Sequence, residues 1–214
     1  MPKETFYNLP EEKRKKIEDA AIQEFKDYSF DTSSINRIVE SSGISKGSFY
    51  QYFDDKKDLY KHIISIIVEK KIKYMSPVMM NPFNHNFYTL MREIYKSGLS
   101  FAMENPQLLE IGNKLIADTT HPIYIEIIDD NKGKSDEMFE LLLKNAMERG
   151  EIRENLDLKM ISYILSSLNL SIVDYYTKLT NKREYNEEMM VVVEKFLDFV
   201  QYGISKIEGD GSND

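Results

Sequence analysis

The chain has 214 residues, no cysteine and a net charge of −8, which excludes a disulfide framework and any thiolate metal site. It contains no charged-then-apolar leader and no apolar run near the ~18 residues that cross a bilayer, so a cytoplasmic protein without a membrane partner is expected. An acidic balance argues by itself against nucleic acid, but the charge is uneven: residues 1–74 hold 14 Lys/Arg against 13 Asp/Glu, and the rest hold 14 against 23. A near-neutral head on an acidic body would orient toward a polyanion and bind it with strong salt dependence.

In chain order, Ile17, Ala20, Ala21 and Phe25 form an apolar stripe at helical spacing. The basic run Lys13-Arg14-Lys15-Lys16 before it reads best as a hydrated helix face. Ile35, Ile38 and Val39 mark a second, short helix with Ser33 as its candidate N-cap, and Gly43 turns the chain where positive φ carries no Cβ penalty. A third helix opens at Ser45. Its Phe49 and Phe53 share one face, which leaves Lys46, Gly47, Ser48, Tyr50, Gln51 and Tyr52 for the others. That outward set suits nucleic acid: lysine for guanine or phosphate, glutamine for an adenine edge, hydroxyls for bases or phosphate oxygens, and a glycine that permits close approach. Asp55 then caps a fourth helix, with Asp58 placed to answer it, and Lys56 beside the free amides of that helix start reads as a phosphate anchor.

The run Ser33-Ser34-Ile35, Ile38, Gly43-Ile44-Ser45-Lys46-Gly47-Ser48-Phe49-Tyr50, Tyr52-Phe53, Lys56 and Leu59 resembles the DNA-binding domain of the TetR family of transcriptional regulators. The first-helix stripe agrees with that family, and the likeness covers about residues 10–60. Two positions depart from it: Ser29 stands where the family usually has glycine, and Val39 where it usually has alanine. Neither touches the proposed DNA face. The resemblance implies an all-α protein with an N-terminal three-helix helix-turn-helix domain and a C-terminal helical domain for ligand binding and dimerisation. It also implies a homodimeric repressor on a palindromic double-stranded operator, released by a small-molecule effector. Expected DNA-contacting residues are Ser33, Ser34, Ser45, Lys46, Gly47, Ser48, Tyr50, Gln51, Tyr52 and Lys56. Expected boundaries are 1–55 for the DNA-binding domain, 56–208 for the effector and dimer domain, and 209–214 for a disordered tail.

Downstream the pattern stays helical. Helices are expected over about 56–74, 84–105, 106–117 and 124–149, broken at Ser76-Pro77, Asn81-Pro82 and Thr119-Thr120-His121-Pro122, with a candidate break at Asn131-Lys132-Gly133 and a stop at Gly150. Two apolar stripes follow. Ile161, Ile164, Leu165, Leu168, Ile172, Tyr175 and Leu179 make one, and Met189, Val193, Phe196, Val200, Ile204 and Ile207 the other. They predict an antiparallel hairpin, and Val192, Leu197 and Phe199 supply apolar surface beyond a monomer's need, so the last two helices are the expected homodimer contact. For an effector of unknown identity the expected contacts are Tyr88, Met91, Tyr95, Phe101, Tyr124 and Asp174, because tyrosine and methionine suit an adaptable pocket with few polar handles. Ordinary core packing explains most of them equally well.

Little supports an enzyme. His62, His85 and His121 stand apart, no nucleophile motif or phosphate-cradling loop occurs, and Asp118 with His121 is the only spacing resembling a metal face. No cofactor, metal or catalytic residue is expected. A helical protein that holds a small hydrophobic molecule without touching DNA is the competing reading.

Overall fold

A computed structural model describes residues 1–118, 120–180, 186 and 188–204. Every extended element among them is a helix, as the sequence pattern predicts. The first, α1 (Glu4–Tyr7), is a single turn; α2 (Glu11–Asp27) follows Pro10, with Glu11 and Glu12 favouring the positive end of its dipole. The predicted stripe of α2 is buried, and Val39 packs into the interior with Ile38. Helix α2 ends through Tyr28 in extended backbone, so the turn at Ser29 uses hydrogen bonds: its carbonyl accepts the Ser33 N–H at 2.9 Å and its hydroxyl meets that of Thr32 at 2.9 Å.

Helix α3 (Ile35–Ser42) stops at Gly43, whose φ of 69° lets the Ile44 N–H reach the Val39 carbonyl at 3.1 Å. Helix α4 (Lys46–Tyr52) starts at Ser45, which accepts the Ser48 N–H at 3.0 Å. Helix α5 (Lys56–Ile72) starts at Asp55, which accepts the Asp58 N–H at 2.9 Å. The Asp58 carboxylate reaches back to the Asp54 N–H at 3.2 Å, one residue earlier than the expected reciprocal cap.

The proline-rich breaks become short turns: α6 (Pro77–Met80) and a 3-10 turn over Pro82–Asn84. Helices α7 (Phe87–Glu104) and α8 (Pro106–Ala117) lie where predicted. The expected single helix over 124–149 is instead α9 (Pro122–Tyr124), a π-helical turn over Ile125–Asp129, and α10 (Asp130–Glu148). The irregularity thus precedes Asn131-Lys132-Gly133, which lies inside α10. Gly150, at φ 72°, ends that stretch. The last two helices are α11 (Leu158–Thr180) and α12 (Glu188–Ile204).

Packing divides the chain into two units. One comprises Met1–Lys73 with Glu104–Ile128; there α8 packs against α2 and α5, behind the helix-turn-helix. Its core includes Ile17, Phe25, Ile38, Phe49, Phe53 and Leu59, all essentially inaccessible, each contributing about 1.5–3 kcal/mol through burial. Phe6 of α1 joins them, with its ring centroid 4.9 Å from that of Phe53. The other unit comprises Tyr74–Met103 and the chain from Asp129 onward. Its core gathers Leu90 and Met91 of α7, Leu143 and Ala146 of α10, Leu165 of α11, and Val193 and Leu197 of α12. Leu197 is therefore core, not the surplus surface that the sequence suggested. The predicted tail 209–214 lies outside the described residues, as do Ile207 and the side chains of Leu179 and Ile204.

Candidate nucleic-acid interface

The helix-turn-helix places α4 with Phe49 turned fully inward. Ser45, Lys46, Gly47 and Gln51 are exposed, Tyr50 is 44% exposed, and Ser48 is half-buried beside the Ser45 hydroxyl at 2.9 Å. Six of the expected contact residues therefore share one short helix and its N-cap. Gly47 is informative among them. A methyl group there would meet nothing closer than the Ser45 hydroxyl, at an ordinary 3.7 Å. Glycine costs a helix about 1 kcal/mol relative to alanine, and no packing among the described residues calls for it. Its missing side chain leaves backbone open on the polar face.

Three expectations need correction. Tyr52 is buried, 6% exposed, with its ring 6.2 Å from Phe6, because a helix of seven residues must turn its last aromatic back toward the core to anchor its end. Ser33 is buried and donates its hydroxyl to the Phe30 carbonyl at 2.6 Å; the N-cap position belongs to Ser34. Lys56 turns away from solvent. Its ammonium donates to the carbonyls of Phe30, Asp31 and Ser33 and sits 4.7 Å from the Phe30 ring centre. Burial pushes this lysine below its ordinary value, with Asp31 and Glu24 partly opposing. All three of its protons are engaged, so Lys56 braces the loop before α3 and has no donor left for a phosphate.

Sequence reading missed the group that holds α3. The Glu24 carboxylate, on the buried side of α2, accepts the Ser34 N–H at 2.7 Å and both arms of Arg37 at 2.5–3.0 Å. It thereby supplies the cap that the Ser34 hydroxyl does not. Arg37 also donates to the Thr32 carbonyl at 2.9 Å and stacks 4.0 Å above Tyr28. A carboxylate in register with Ile17, Ala20 and Ala21 was the available signal. Of the histidines, His62 is buried with Nε2 2.9 Å from Glu18, and His121 meets Asp31 at 3.1 Å while Asp118 binds Thr120. Neither Asp118 nor His121 presents a shared metal face. The basic run at 13–16 is spent partly on Glu12, 2.9 Å from Lys16, and on the Tyr7 carbonyl, 2.9 Å from Arg14.

The expected effector residues divide between the units. Tyr124 is buried in the first; Tyr88, Met91 and Phe101 are buried in the second, packed as ordinary core. Tyr95, also in the second, differs. Its ring lies against Phe196 at 6.0 Å, its hydroxyl is buried with no hydrogen-bond partner among the described residues, and burial pushes the phenol well above its usual value. The side chain of Asp174 lies outside the described residues. Glu126, in the first unit, is exposed and bound by Lys57 at 3.2 Å and by Lys61 at 2.5 Å; the two lysines hold its carboxyl below the ordinary range.

Residues 17–63 match the family described as bacterial regulatory proteins, tetR family. Over 175 residues the chain is 26% identical to an HTH-type transcriptional regulator of Staphylococcus aureus strain USA300, an alignment covering 79% of this chain and 91% of that one. The structure is similar to that of a TetR family transcriptional regulator from Chloroflexus aurantiacus J-10-FL, with TM-score 0.77 and 28% identity over 97% of this chain and all of the other. It shares its fold, at TM-score 0.62 and 16% identity, with a ketosteroid transcriptional regulator of Mycobacterium tuberculosis, over 93% and 98% of the two chains. No described helix is long and apolar enough to cross a membrane. With its polar α4 on a buried three-helix base, the chain carries a tetR-family regulatory segment over residues 17–63 and is similar in sequence and structure to TetR family DNA-binding transcriptional regulators.

Proposed function

We propose that this regulator is a repressor that binds a palindromic operator as a homodimer and is released by a small-molecule effector, with residues 1–55 as the DNA-binding domain and 56–208 as the effector and dimer domain. Gly47 carries the DNA reading: a glycine that packing does not require, among exposed Lys46, Tyr50 and Gln51, suits a backbone that meets the floor or wall of a major groove. The contact set is Ser45, Lys46, Gly47, Ser48, Tyr50 and Gln51, flanked by Ser34. Two such helices, related by a twofold axis, read half-sites about 34–36 Å apart or a multiple of that.

Apolar side chains left in solvent support the dimer. On α11, Met160, Tyr163, Ile164 and Tyr175 are exposed, and on α12, Val191, Phe199 and Tyr202, with Tyr163 63% and Phe199 71% accessible. Each set recurs at helical spacing, which suits a four-helix bundle between copies. Tyr95 supports the effector reading, since a buried hydroxyl without a partner is a polar handle for a ligand. An effector favouring one spacing of the two heads by ~1–3 kcal/mol lowers operator affinity about 5–150-fold.

Gly47→Ala tests the central point. The substitution leaves stability unchanged or raises it by up to about 1 kcal/mol, yet weakens binding to a duplex selected by the unaltered protein from random DNA. Unchanged affinity removes the close-approach argument. Lys46→Ala should flatten the slope of log affinity against log salt by about 1 if the ammonium meets a phosphate. Phe199→Glu should yield monomers in sedimentation, and a dimer of undiminished strength moves the interface elsewhere.

A further inference from the structure

We infer that residues Lys3 to Phe6 form a clamp on the recognition helix and help determine which operator sequence it reads, an inference that rests on α4 being the helix that enters the groove. Helix α4 has seven residues and is too short to be stable alone. Its start is secured by Ser45, but its end lacks a left-handed cap: Phe53 is extended, at φ −134° and ψ 146°, and only the Phe49 carbonyl is served from within, by the Phe53 N–H at 2.9 Å. Helix α3, by contrast, closes on itself through Gly43.

Three carbonyls at the end of α4 therefore need donors. All three come from the segment opening α1. The Lys3 N–H donates to Tyr52 at 2.8 Å, the Lys3 ammonium to Tyr50 at 3.0 Å, and the Thr5 hydroxyl to Gln51. A cation here also complements the negative end of the helix dipole, and the ammonium is held in place by Asp54 at 2.7 Å. Phe6, fully buried near Phe53 and 5.2 Å from the His62 ring, fixes the clamp to the core.

The clamped carbonyls belong to the residues whose side chains matter. Tyr50 and Gln51 project outward while their backbone is gripped from the other side. A bidentate contact to a base edge tolerates little rotation of its helix, so the grip sets the angle at which Gln51 is offered. The clamp residues are positioning residues: they contribute to discrimination without touching a base.

Thr5→Val removes one donor at constant shape. Losing one such bond should reduce discrimination between the selected duplex and one altered at the base pairs read by Gln51 about fivefold, leaving binding to a scrambled duplex unchanged. Combined with Gln51→Ala, Thr5→Val should have no further effect on that ratio. In the free protein, amide exchange over Gln51–Phe53 should rise by a similar factor while α2 is unaffected. Lys3→Met should act in the same direction. The inference is overturned if Thr5→Val leaves discrimination and exchange at their original values, or weakens selected and scrambled duplexes equally. If the unaltered protein selects no duplex, the groove reading fails, and unchanged amide exchange then removes the clamp as well.

Discussion

Helices α4 and α12 present opposite surfaces for the same underlying reason. Both bury one face in their own unit, α4 with Phe49 and α12 with Val193, Leu197 and Val200. What remains on α4 and its N-cap is Ser45, Lys46, Gly47, Ser48, Tyr50 and Gln51, each but the glycine with a polar side-chain group, whereas α12 leaves Val191, Phe199 and Tyr202 in water. A duplex offers phosphates and base edges, so a surface that meets it carries donors and keeps backbone accessible. A second copy of a helix offers apolar area, and surplus apolar side chains are the part of a helix that a monomer does not use. The ends of α3 and α4 are satisfied by Glu24, Lys3 and Thr5, whereas His62 Nδ1 in the first unit and the Tyr95 hydroxyl in the second are buried without a partner among the described residues.

Where the head's buried groups are packed or paired in this way, substituting them should lose stability. Phe6→Ala should cost about 3–5 kcal/mol through the cavity left among Phe53, Tyr52 and His62, measured by denaturant unfolding of the intact chain; a loss below 1 kcal/mol would show that α1 is an appendage. Glu24→Gln keeps a hydrogen-bond acceptor for Ser34 but removes the charge that holds Arg37. With Arg37 itself 44% exposed and screened by water, the loss should be about 1–2 kcal/mol.

The second unit should respond with the opposite sign at the Tyr95 hydroxyl. Tyr95→Phe deletes a hydroxyl that burial penalises, so stability should rise by about 1 kcal/mol, seen as an increase of about 2–4 °C in the thermal midpoint. A fall would place a partner on that hydroxyl and erase the contrast with Glu24. The smallest effect concerns Arg92 and Glu194, which join α7 to α12 through bonds of 2.8–3.0 Å. Arg92 holds the Glu194 carboxyl below its ordinary value of 4.5. A depressed carboxylate stabilises the fold fully above that ordinary value and loses its contribution as pH falls through the depressed one. Glu194→Gln should therefore cost about 0.2–1 kcal/mol at neutral pH and nothing in strong acid; a difference constant with pH would make the effect one of packing.

The helix-turn-helix was legible because its signals are local. Ser45, Asp55 and Gly43 cap or stop helices through bonds to residues at most four positions away, and apolar spacing needs only a few turns to declare a face. Helices α7 and α8 were legible for the same reason, since Pro106 separates them wherever they pack. Tyr52 misled because a seven-residue helix has too few turns for periodicity to separate its buried and exposed sides. Lys56 misled because its position at a helix start is local information, whereas the carbonyls that claim its ammonium come from residues 23 to 26 positions earlier. The π-helical turn at Ile125–Asp129 had no local breaker to announce it.

The sequence alone determined most of the helices, the caps and stops at Gly43, Ser45 and Asp55, and the exposed chemistry from Ser45 through Gln51, because each depends on neighbours along the chain. Only the tertiary structure decided which donors close the free ends of α3 and α4, that Phe6 belongs to the head's core, and that Leu197 is interior while Phe199 is left outside. Those outcomes are set by segments tens of residues apart that compete for the same buried space and the same unsatisfied backbone groups, and that competition is resolved only when the chain has packed.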